Sequence, residues 1–278
     1  MICDLHTHSI YSDGTFSPSQ IIKEAEKLQI GAVALCDHNT VSGLDEFVAA
    51  AETSRVIAVP GIEFSTEYEG KQLHILGLFI KKEHYEEIIN IMNKFQRLKE
   101  ESNINLVKRL AEKGYILDYD EIKSKTPGNL VNRAHIAAAL TEKGYVSSNK
   151  EAFNTLLHSK FGLYIPPERP SSIGIIKKIK DFGALSVLAH PFLNLTEDKL
   201  RGFLPKAISC GLDGMESYYS LYDKKTSLLA AKICDEYNLL KSGGSDFHGA
   251  NKPDIMLGTG MGNLHIPFGV YAELRNKI

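Results

Sequence analysis

Two histidines and an aspartate near the start of the chain have the spacing of metal ligands. His6 and His8 are two residues apart at the end of the largely apolar run 2–5, so on an extended strand both rings point to the same face. Asp13 follows in a glycine-containing loop, and its carboxylate is a hard oxygen ligand within reach of the same pocket. This arrangement indicates a metal site.

Further imidazoles and carboxylates recur along the chain, mostly where a predicted strand ends. These candidate ligands are His38, Glu63, His190, Asp246 and His248. His74 is the exception, because it falls within a predicted strand, where its ring can still face the inside of a barrel. In parallel α/β barrels the loops after the strands converge on one mouth, so we expect these donors to meet. They outnumber the four donors of one tetrahedral zinc ion, which favours two or three ions.

Asp37 and the cysteines are interpreted differently. Adjacent strand residues point to opposite faces, so Asp37, beside His38, is expected to support the ligands at least as readily as to bind metal. The same alternation turns Cys3 and Cys36 away from the ligands. The 4 cysteines lack C-x-x-C spacing, which argues against a zinc knuckle or a disulfide framework and favours buried, reduced thiols.

Short apolar runs alternate with helical patterns at the start of the chain. Strands are predicted at 2–5, 32–35 and 56–60, with helices at 17–29 and 42–52 between them. This βαβαβ order is typical of a parallel sheet. Further strands are predicted at 72–79, 184–188, 214–216 and 239–242. Seven strands with intervening helices predict a barrel-like α/β fold.

The pattern between residues 99 and 167 is purely helical, and its helical stretches end in glycines that can serve as C-terminal caps. We therefore predict three parts. Residues 1–98 form the first part of the barrel, 99–167 an all-helical insertion domain over the barrel mouth, and 168–278 the second part of the barrel.

Composition excludes some classes of protein. With 278 residues, 43% of them hydrophobic and 24% charged, the chain is typical of a globular protein with one large core. A formal net charge of −2 gives no electrostatic footprint for long duplex nucleic acid. No apolar run approaches the roughly 20 residues that span a bilayer. We therefore expect a cytoplasmic protein without membrane contact; its oligomeric state is left open.

The candidate ligands together resemble the ligand pattern of the polymerase and histidinol phosphatase (PHP) superfamily. The segments DHNTVSGLDE, VPGIEFST, HILGLF, VLAHP and GGSDFHG are similar to its branch of nucleoside 3′,5′-bisphosphate phosphatases and RNA 5′-end exonucleases. The resemblance implies a distorted seven-stranded (β/α)7 TIM-like barrel with a trinuclear metal centre.

The resemblance also implies how three divalent ions are held. One ion is expected on His6, His8 and Asp246, with Glu63 bridging to a second ion; the second ion's other ligands are His74 and His190, and a third ion has Asp13, His38 and His248. Mn²⁺ is expected, with Fe²⁺ or Zn²⁺ as alternatives, because mixed nitrogen and oxygen donors suit all three. The implied reaction is attack of a metal-bridging hydroxide on a phosphate ester of a small nucleotide or of a short RNA 5′ end.

A segment in the predicted insertion also matches this branch, which carries a G-R-P-H-I-A motif. Here the residues 132–137 read N-R-A-H-I-A. The match implies that Arg133 binds phosphate and that His135 contacts the phosphate or protonates the leaving group. Asn132 and Ala134 replace the usual glycine and proline, a departure that bears on substrate choice.

Other functions stay open. Within the same superfamily, the alternatives are a histidinol-phosphate phosphatase, another small-molecule phosphatase or a cyclic-phosphate hydrolase. An alternative of a different class is a non-catalytic, metal-bound PHP module, which the intact set of candidate ligands disfavours.

Overall fold

The computed structural model describes residues 1–126 and 131–278, so residues 127–130 of the predicted insertion lie outside the described part. The chain forms two compact units. The barrel unit comprises Met1–Asn90 and Pro170–Ile278, and the helical unit comprises Ile91–Arg169. The placement of the insertion over the barrel mouth stays a prediction.

Seven strands of the barrel unit form one sheet in chain order. They are β1 (Cys3–Thr7), β2 (Ala32–Leu35), β3 (Ile57–Tyr68), β4 (Lys71–Leu78), β5 (Leu185–Ala189), β6 (Gly214–Tyr219) and β7 (Leu240–Gly244). Hydrogen bonds join the C-terminal end of the first strand to the segment that follows the last strand. Asp246 N donates to His6 O at 2.9 Å, and His8 N donates to Phe247 O at 2.9 Å. The predicted seven-stranded, barrel-like α/β fold is therefore confirmed as a nearly closed barrel.

One strand departs from a parallel arrangement. β4 runs antiparallel to both β3 and β5, whereas the other neighbouring strand pairs are parallel. The cause is local: only Glu69 and Gly70 separate β3 from β4, and both have positive φ, 48° and 73°. A two-residue loop with positive φ at both positions makes a tight hairpin. The pattern of the sequence did not predict this reversal.

Helices lie between and after the strands of the barrel unit. They are α1 (Pro18–Lys27), α2 (Leu44–Ala51), α7 (Ser172–Asp181), α8 (Glu197–Ser209), α9 (Lys224–Tyr237) and α10 (Phe268–Arg275). α1 begins with a capping box, in which Ser17 Oγ accepts from Gln20 N and Gln20 Oε1 accepts from Ser17 N. Its buried face includes Ile21 and Ile22, each contributing about 1.5–3 kcal/mol by burial.

The remaining helices are α3 (Tyr85–Glu112), α4 (Tyr119–Ser124), α5 (Arg133–Glu142) and α6 (Asn149–Asn154). α3 continues from the barrel unit into the helical unit. The helical unit has its own apolar core, in which Leu106 and Leu110 of α3 and Ile136 and Leu140 of α5 are fully buried. In the described part of the chain, no helix combines the length and the apolar character needed to cross a membrane.

Apolar residues of β1 belong to the core of the barrel unit. Cys3 and Leu5 belong to an apolar cluster that also includes Val270 and Leu274 of the C-terminal segment. His6, which follows Leu5 in the same strand, is also fully buried. Cys36 belongs to the cluster as well, so both cysteines are buried among apolar side chains.

Candidate metal centre

All the candidate ligands lie in the barrel unit, and the structure brings them to one end of the strands. His6 lies in β1 and Glu63 in β3, whereas the others, apart from His74, follow a strand within a few residues. The rings of His6 and His8 have centroids 5.0 Å apart, so the period-two spacing does place both imidazoles in the same cluster.

The position of His74 follows from the direction of β4. His74 pairs with Ser65 of β3 on one side and with Ala189 of β5 on the other. Because β4 is antiparallel, its first half lies at the same edge as the C-terminal end of β5, next to His190. The two-residue turn after β3 was the sequence signal for this reversal.

Glu63 lies at the centre of the imidazoles. Its Oε1 is 2.7 Å from His74 Nδ1 and 3.0 Å from His190 Nε2. Its Oε2 is 2.9 Å from His38 Nδ1 and 3.3 Å from the Nε2 atom of each ring of the His-x-His pair. The Glu63 side chain has 0% exposure. One buried carboxylate therefore faces five rings, as a bridging ligand would.

Asp246 presents its two oxygens to different partners. Oδ1 is 3.2 Å from His8 Nε2 and 3.8 Å from His6 Nε2. Oδ2 accepts from the hydroxyl of Tyr219 at 2.9 Å and from Lys252 Nζ at 2.7 Å. Tyr219 and Lys252 therefore hold the carboxylate with one oxygen directed at the rings. Neither was among the predicted site residues, and their contacts depend on how the loop after β7 folds back.

Asp13 occupies the open side of the cluster. Its Oδ1 is 3.1 Å from His248 Nε2, and its Oδ2 is 3.8 Å from His38 Nε2. The Asp13 side chain is 55% exposed, in contrast to Glu63. This carboxylate is thus the candidate ligand that solvent, or a substrate, reaches most directly.

The donor set fits metal ions. In four groups of three or four ligand atoms, the atoms of each group lie within 4.8 Å of one another. Several buried atoms of the cluster have no hydrogen-bond partner in the described structure: His6 Nε2, His8 Nε2, His38 Nδ1, Glu63 Oε2, His190 Nδ1 and His248 Nε2. Buried polar atoms are normally paired, and an unpaired one costs about 1–3 kcal/mol. Coordination to a cation removes that cost.

The groups overlap with the ion assignment that the resemblance implies. One group is His6, His8 and Asp246, and another is Asp13, His38 and His248 joined by His8. Glu63 forms two further groups, one with His6 and His190 and one with His38 and His74. Which residues share which ion stays a prediction.

The electrostatics of the cluster keep its carboxylates ionised. Burial raises the pKa of Glu63, but the surrounding imidazoles, His38 first, outweigh burial and hold the pKa well below its usual value. Burial lowers the pKa of His8 to about 3, so this ring is neutral and has a lone pair to donate. For His38, burial is outweighed by the charge of Glu63, and the pKa rises to about 9. A cation bound by His38 must therefore displace a proton.

Two further carboxylates hold the loops that carry ligands. Asp37 accepts hydrogen bonds from Ser9 N at 2.7 Å, Ser9 Oγ at 2.6 Å and Ser12 Oγ at 2.6 Å, which fixes the loop leading to Asp13. This supporting role matches the interpretation of Asp37 from strand alternation.

Asp4 holds the turn after β7 through the hydrogen bonds that its carboxylate accepts. It accepts from Ser245 N at 2.8 Å, from Ser245 Oγ at 2.5 Å and from Gly258 N at 2.8 Å. Ser245 and Gly258 are more than two hundred residues away in sequence, so the sequence pattern did not indicate this role of Asp4.

Arg133 and His135 lie in the first turn of α5, in the helical unit. The guanidinium carbon of Arg133 is 4.3 Å from the centroid of the Tyr164 ring, and Arg133 donates to the carbonyl of Leu157 at 3.2 Å. Stacking and this hydrogen bond orient the guanidinium. The role of Arg133 in binding phosphate stays a prediction.

Asn132, which replaces the usual glycine of the motif, has a role in the local structure. Asn132 is the N-cap of α5, and its side chain accepts from Ala134 N at 2.9 Å and from His135 N at 3.3 Å. His135 Nδ1 in turn accepts from Asn132 N at 3.2 Å. The ring of His135 is therefore oriented by the helix cap, and in its neutral form it has its proton on Nε2.

Comparison with known proteins supplies the family. The chain matches the PHP domain over residues 4–162. It is 32% identical over 246 residues to a 5′-3′ exoribonuclease of Haemophilus influenzae, covering 88% of this chain and 89% of that protein. It is 29% identical over 256 residues to a phosphoribosyl 1,2-cyclic phosphate 1,2-diphosphodiesterase of Eggerthella lenta, covering 90% of this chain and 95% of that protein.

A solved structure from Bifidobacterium adolescentis, assigned as a metal-dependent phosphoesterase, aligns with a TM-score of 0.75 and 27% identity. The alignment covers 99% of this chain and 96% of that one. Barrel, ligand cluster and relatives together define a metal-dependent phosphoesterase. The chain belongs to the PHP domain family.

Proposed function

We propose that this chain hydrolyses phosphate esters of small nucleotides. The reaction either converts a 3′,5′-nucleoside bisphosphate to the 5′-monophosphate or trims a short RNA from its 5′ end. One observation carries the proposal: six imidazoles and three carboxylates form a single cluster, and several of their buried atoms lack any hydrogen-bond partner in the described structure. Such a donor set suits the multinuclear centres that cleave phosphate esters.

The cluster would hold three divalent ions, with Mn²⁺ expected and Fe²⁺ or Zn²⁺ as alternatives. When bound, such ions lower the pKa of a water molecule and neutralise charge on a phosphoryl group. The residues themselves set the geometry. Glu63 keeps a negative charge among the rings, while Tyr219 and Lys252 leave one oxygen of Asp246 directed at His8.

Two residues of the helical unit, Arg133 and His135, would bind the phosphate of the substrate. Stacking on Tyr164 leaves further N–H groups of Arg133 for a bidentate contact with a phosphate. Burial, and then the nearby charge of Lys99, lower the pKa of His135, so the ring is neutral near pH 7. Its Nε2–H then acts as a hydrogen-bond donor to phosphate rather than as a source of a proton for the leaving group.

The substrate would be a small phosphorylated molecule or a short 5′ end. A net charge of −2 disfavours contacts along a long duplex, whose binding depends on many basic side chains. A cyclic phosphate diester is the second candidate, because the Eggerthella lenta relative matches almost the whole chain. Histidinol phosphate remains the alternative that the superfamily resemblance implies.

The test is a product screen with the Mn²⁺-loaded protein. The substrates are 3′,5′-nucleoside bisphosphates, 5′- and 3′-monophosphates, a ribose 1,2-cyclic phosphate, histidinol phosphate and a short 5′-phosphorylated RNA. Release of phosphate from the bisphosphate, or shortening of the RNA, supports the proposal. Turnover of the cyclic phosphate or histidinol phosphate alone would move the function to that candidate.

A matched pair of variants checks that the cluster is responsible for turnover. Asp246→Asn removes a carboxylate of the cluster and should abolish turnover. Asp254→Asn changes an exposed carboxylate eight residues further along the same loop region and should leave turnover unchanged. Bound metal without turnover of any substrate would favour a non-catalytic module.

A further inference from the structure

Glu216 of β6 contacts two candidate ligand residues at once. Its Oε1 is 3.0 Å from His6 Nδ1, and its Oε2 accepts a hydrogen bond from the backbone N–H of His190 at 2.6 Å. Glu216 is fully buried. It belongs to none of the groups of candidate ligand atoms found in the described structure. Its carboxylate therefore contacts two candidate ligand residues and is not itself a candidate ligand.

The two contacts join distant parts of the barrel. His6 belongs to β1, whereas His190 directly follows β5, a neighbour of β6 in the sheet. Since β7 separates β6 from β1 in the strand order, the side chain of Glu216 reaches past a whole strand to meet the His6 ring. A single side chain thus fixes the relative positions of two ligands.

The contact with His6 determines which ring nitrogen faces the cluster. A carboxylate only accepts hydrogen bonds, so Nδ1 of His6 must carry the proton. In the neutral ring the lone pair is then on Nε2, which is 3.3 Å from Glu63 Oε2 and 3.8 Å from Asp246 Oδ1. Without Glu216 the ring has no fixed tautomer, and either nitrogen can hold the proton.

The contact with His190 holds an uncommon backbone conformation. His190 has φ 27° and ψ 55°, and a positive φ is strained for a residue with a β-carbon. The hydrogen bond from its N–H to Glu216 opposes relaxation of that strain. In this conformation His190 Nε2 lies 3.0 Å from Glu63 Oε1.

We propose that Glu216 is a positioning residue that presets His6 and His190 for cation binding, through the ring tautomer of one and the backbone of the other. The inference rests on the metal binding that the proposed function requires. Outer partners of metal ligands typically change metal affinity by about 10–100-fold. We expect an effect of that size, confined to the ions that His6 and His190 ligate.

Glu216→Gln tests the proposal, because glutamine has the same shape and only one accepting oxygen. If that oxygen accepts from His190 N–H, the amide NH₂ faces His6 Nδ1 and forces the His6 proton onto Nε2. If the amide is reversed, its NH₂ opposes the N–H of His190. Mn²⁺ titration of the full-length protein should show roughly 10–100-fold weaker binding of the affected ions. The ion expected on Asp13, His38 and His248 should keep its affinity.

The control is Asp213→Asn. Asp213 directly precedes β6, and its carboxylate also accepts a backbone hydrogen bond, from Ser186 N at 3.0 Å, without contacting a candidate ligand. This variant should cost stability and leave Mn²⁺ affinity unchanged. A Glu216→Gln protein that loses stability as Asp213→Asn does, and yet binds Mn²⁺ like the wild type, overturns the proposal.

A second measurement needs no variant. In the Zn²⁺-loaded wild type, nitrogen-15 NMR should show a hydrogen-bonded proton on Nδ1 of His6. A proton on Nε2 would overturn the proposal even if Glu216→Gln did not fold. Both experiments measure metal affinity or the position of a proton, and neither measures turnover. A protein that binds metal but hydrolyses no tested ester would therefore contradict the proposed function without contradicting this inference.

Discussion

Oε1 of Glu63 lies 2.7 Å from Nδ1 of His74, although the two residues belong to strands that run in opposite directions. The contact depends on the hairpin at Glu69 and Gly70, which folds β4 back along β3. A parallel fourth strand would carry the first half of β4 to the opposite edge of the barrel. The reversal of one strand thus supplies one of the candidate ligands.

Glu63→Gln should remove metal binding together with activity. A neutral amide can neither balance cations nor accept from five rings, and the rings would be left buried without their central charge. We expect metal affinity to fall by more than the roughly 100-fold that loss of a hydrogen-bond partner of a metal ligand can cost. Metal analysis and turnover measure this, with Glu67→Gln, an exposed glutamate of the same strand, as the control. Normal metal content in Glu63→Gln would contradict the bridging role.

Asp13→Ala should remove one ion and leave the others. Asp13 is the exposed member of the cluster and contacts His248 and His38 at 3.1 and 3.8 Å. Its loss leaves the donors around Glu63 intact, so metal content should fall by one ion for each chain. Elemental analysis of the purified protein measures the content. Asp45→Ala, which removes an exposed carboxylate of α2, is the control. A complete loss of metal would show that the ions do not bind independently.

Gly244→Ala should destabilise the barrel where β7 meets β1. A β-carbon at position 244 would lie 2.2 Å from His6 Cβ and 2.5 Å from His6 N, and backbone atoms cannot move aside cheaply. Overpacking of this kind typically costs about 1–3 kcal/mol, and displacement of His6 should also weaken metal binding. Gly202→Ala in α8 is the control, since a β-carbon at position 202 would meet no atom within 4 Å. That change should stabilise by up to about 1 kcal/mol. Denaturant unfolding of both variants checks the sign and the size.

Arg133→Ala should keep the metals and weaken substrate binding. If Arg133 contacts the phosphate, its loss should raise KM for phosphorylated substrates by roughly 10-fold or more, the size of one charged hydrogen bond. Arg109→Ala is the matched control, because Arg109 also donates to a carbonyl of the helical unit, that of Leu163, at 3.0 Å. Equal effects of the two variants on KM would assign Arg133 a structural role only.

The residue types and local periodicity of the sequence predict much of the barrel and the candidate ligands. The His-x-His spacing in an extended segment places both rings in the cluster, and the Ser17–Pro18 start of α1 carries its own capping signal. Such features depend on neighbours within a few residues, and the alternation of a strand or the turn of a helix expresses them directly.

Only the tertiary structure decided how the ligands are held. Glu216 meets His6 across a separation of 210 residues, and Asp4 meets Ser245 across 241. Periodicity reports which face a side chain occupies, but not which distant side chain that face meets. Those partners are set by closure of the barrel, which brings β1 and β7 together.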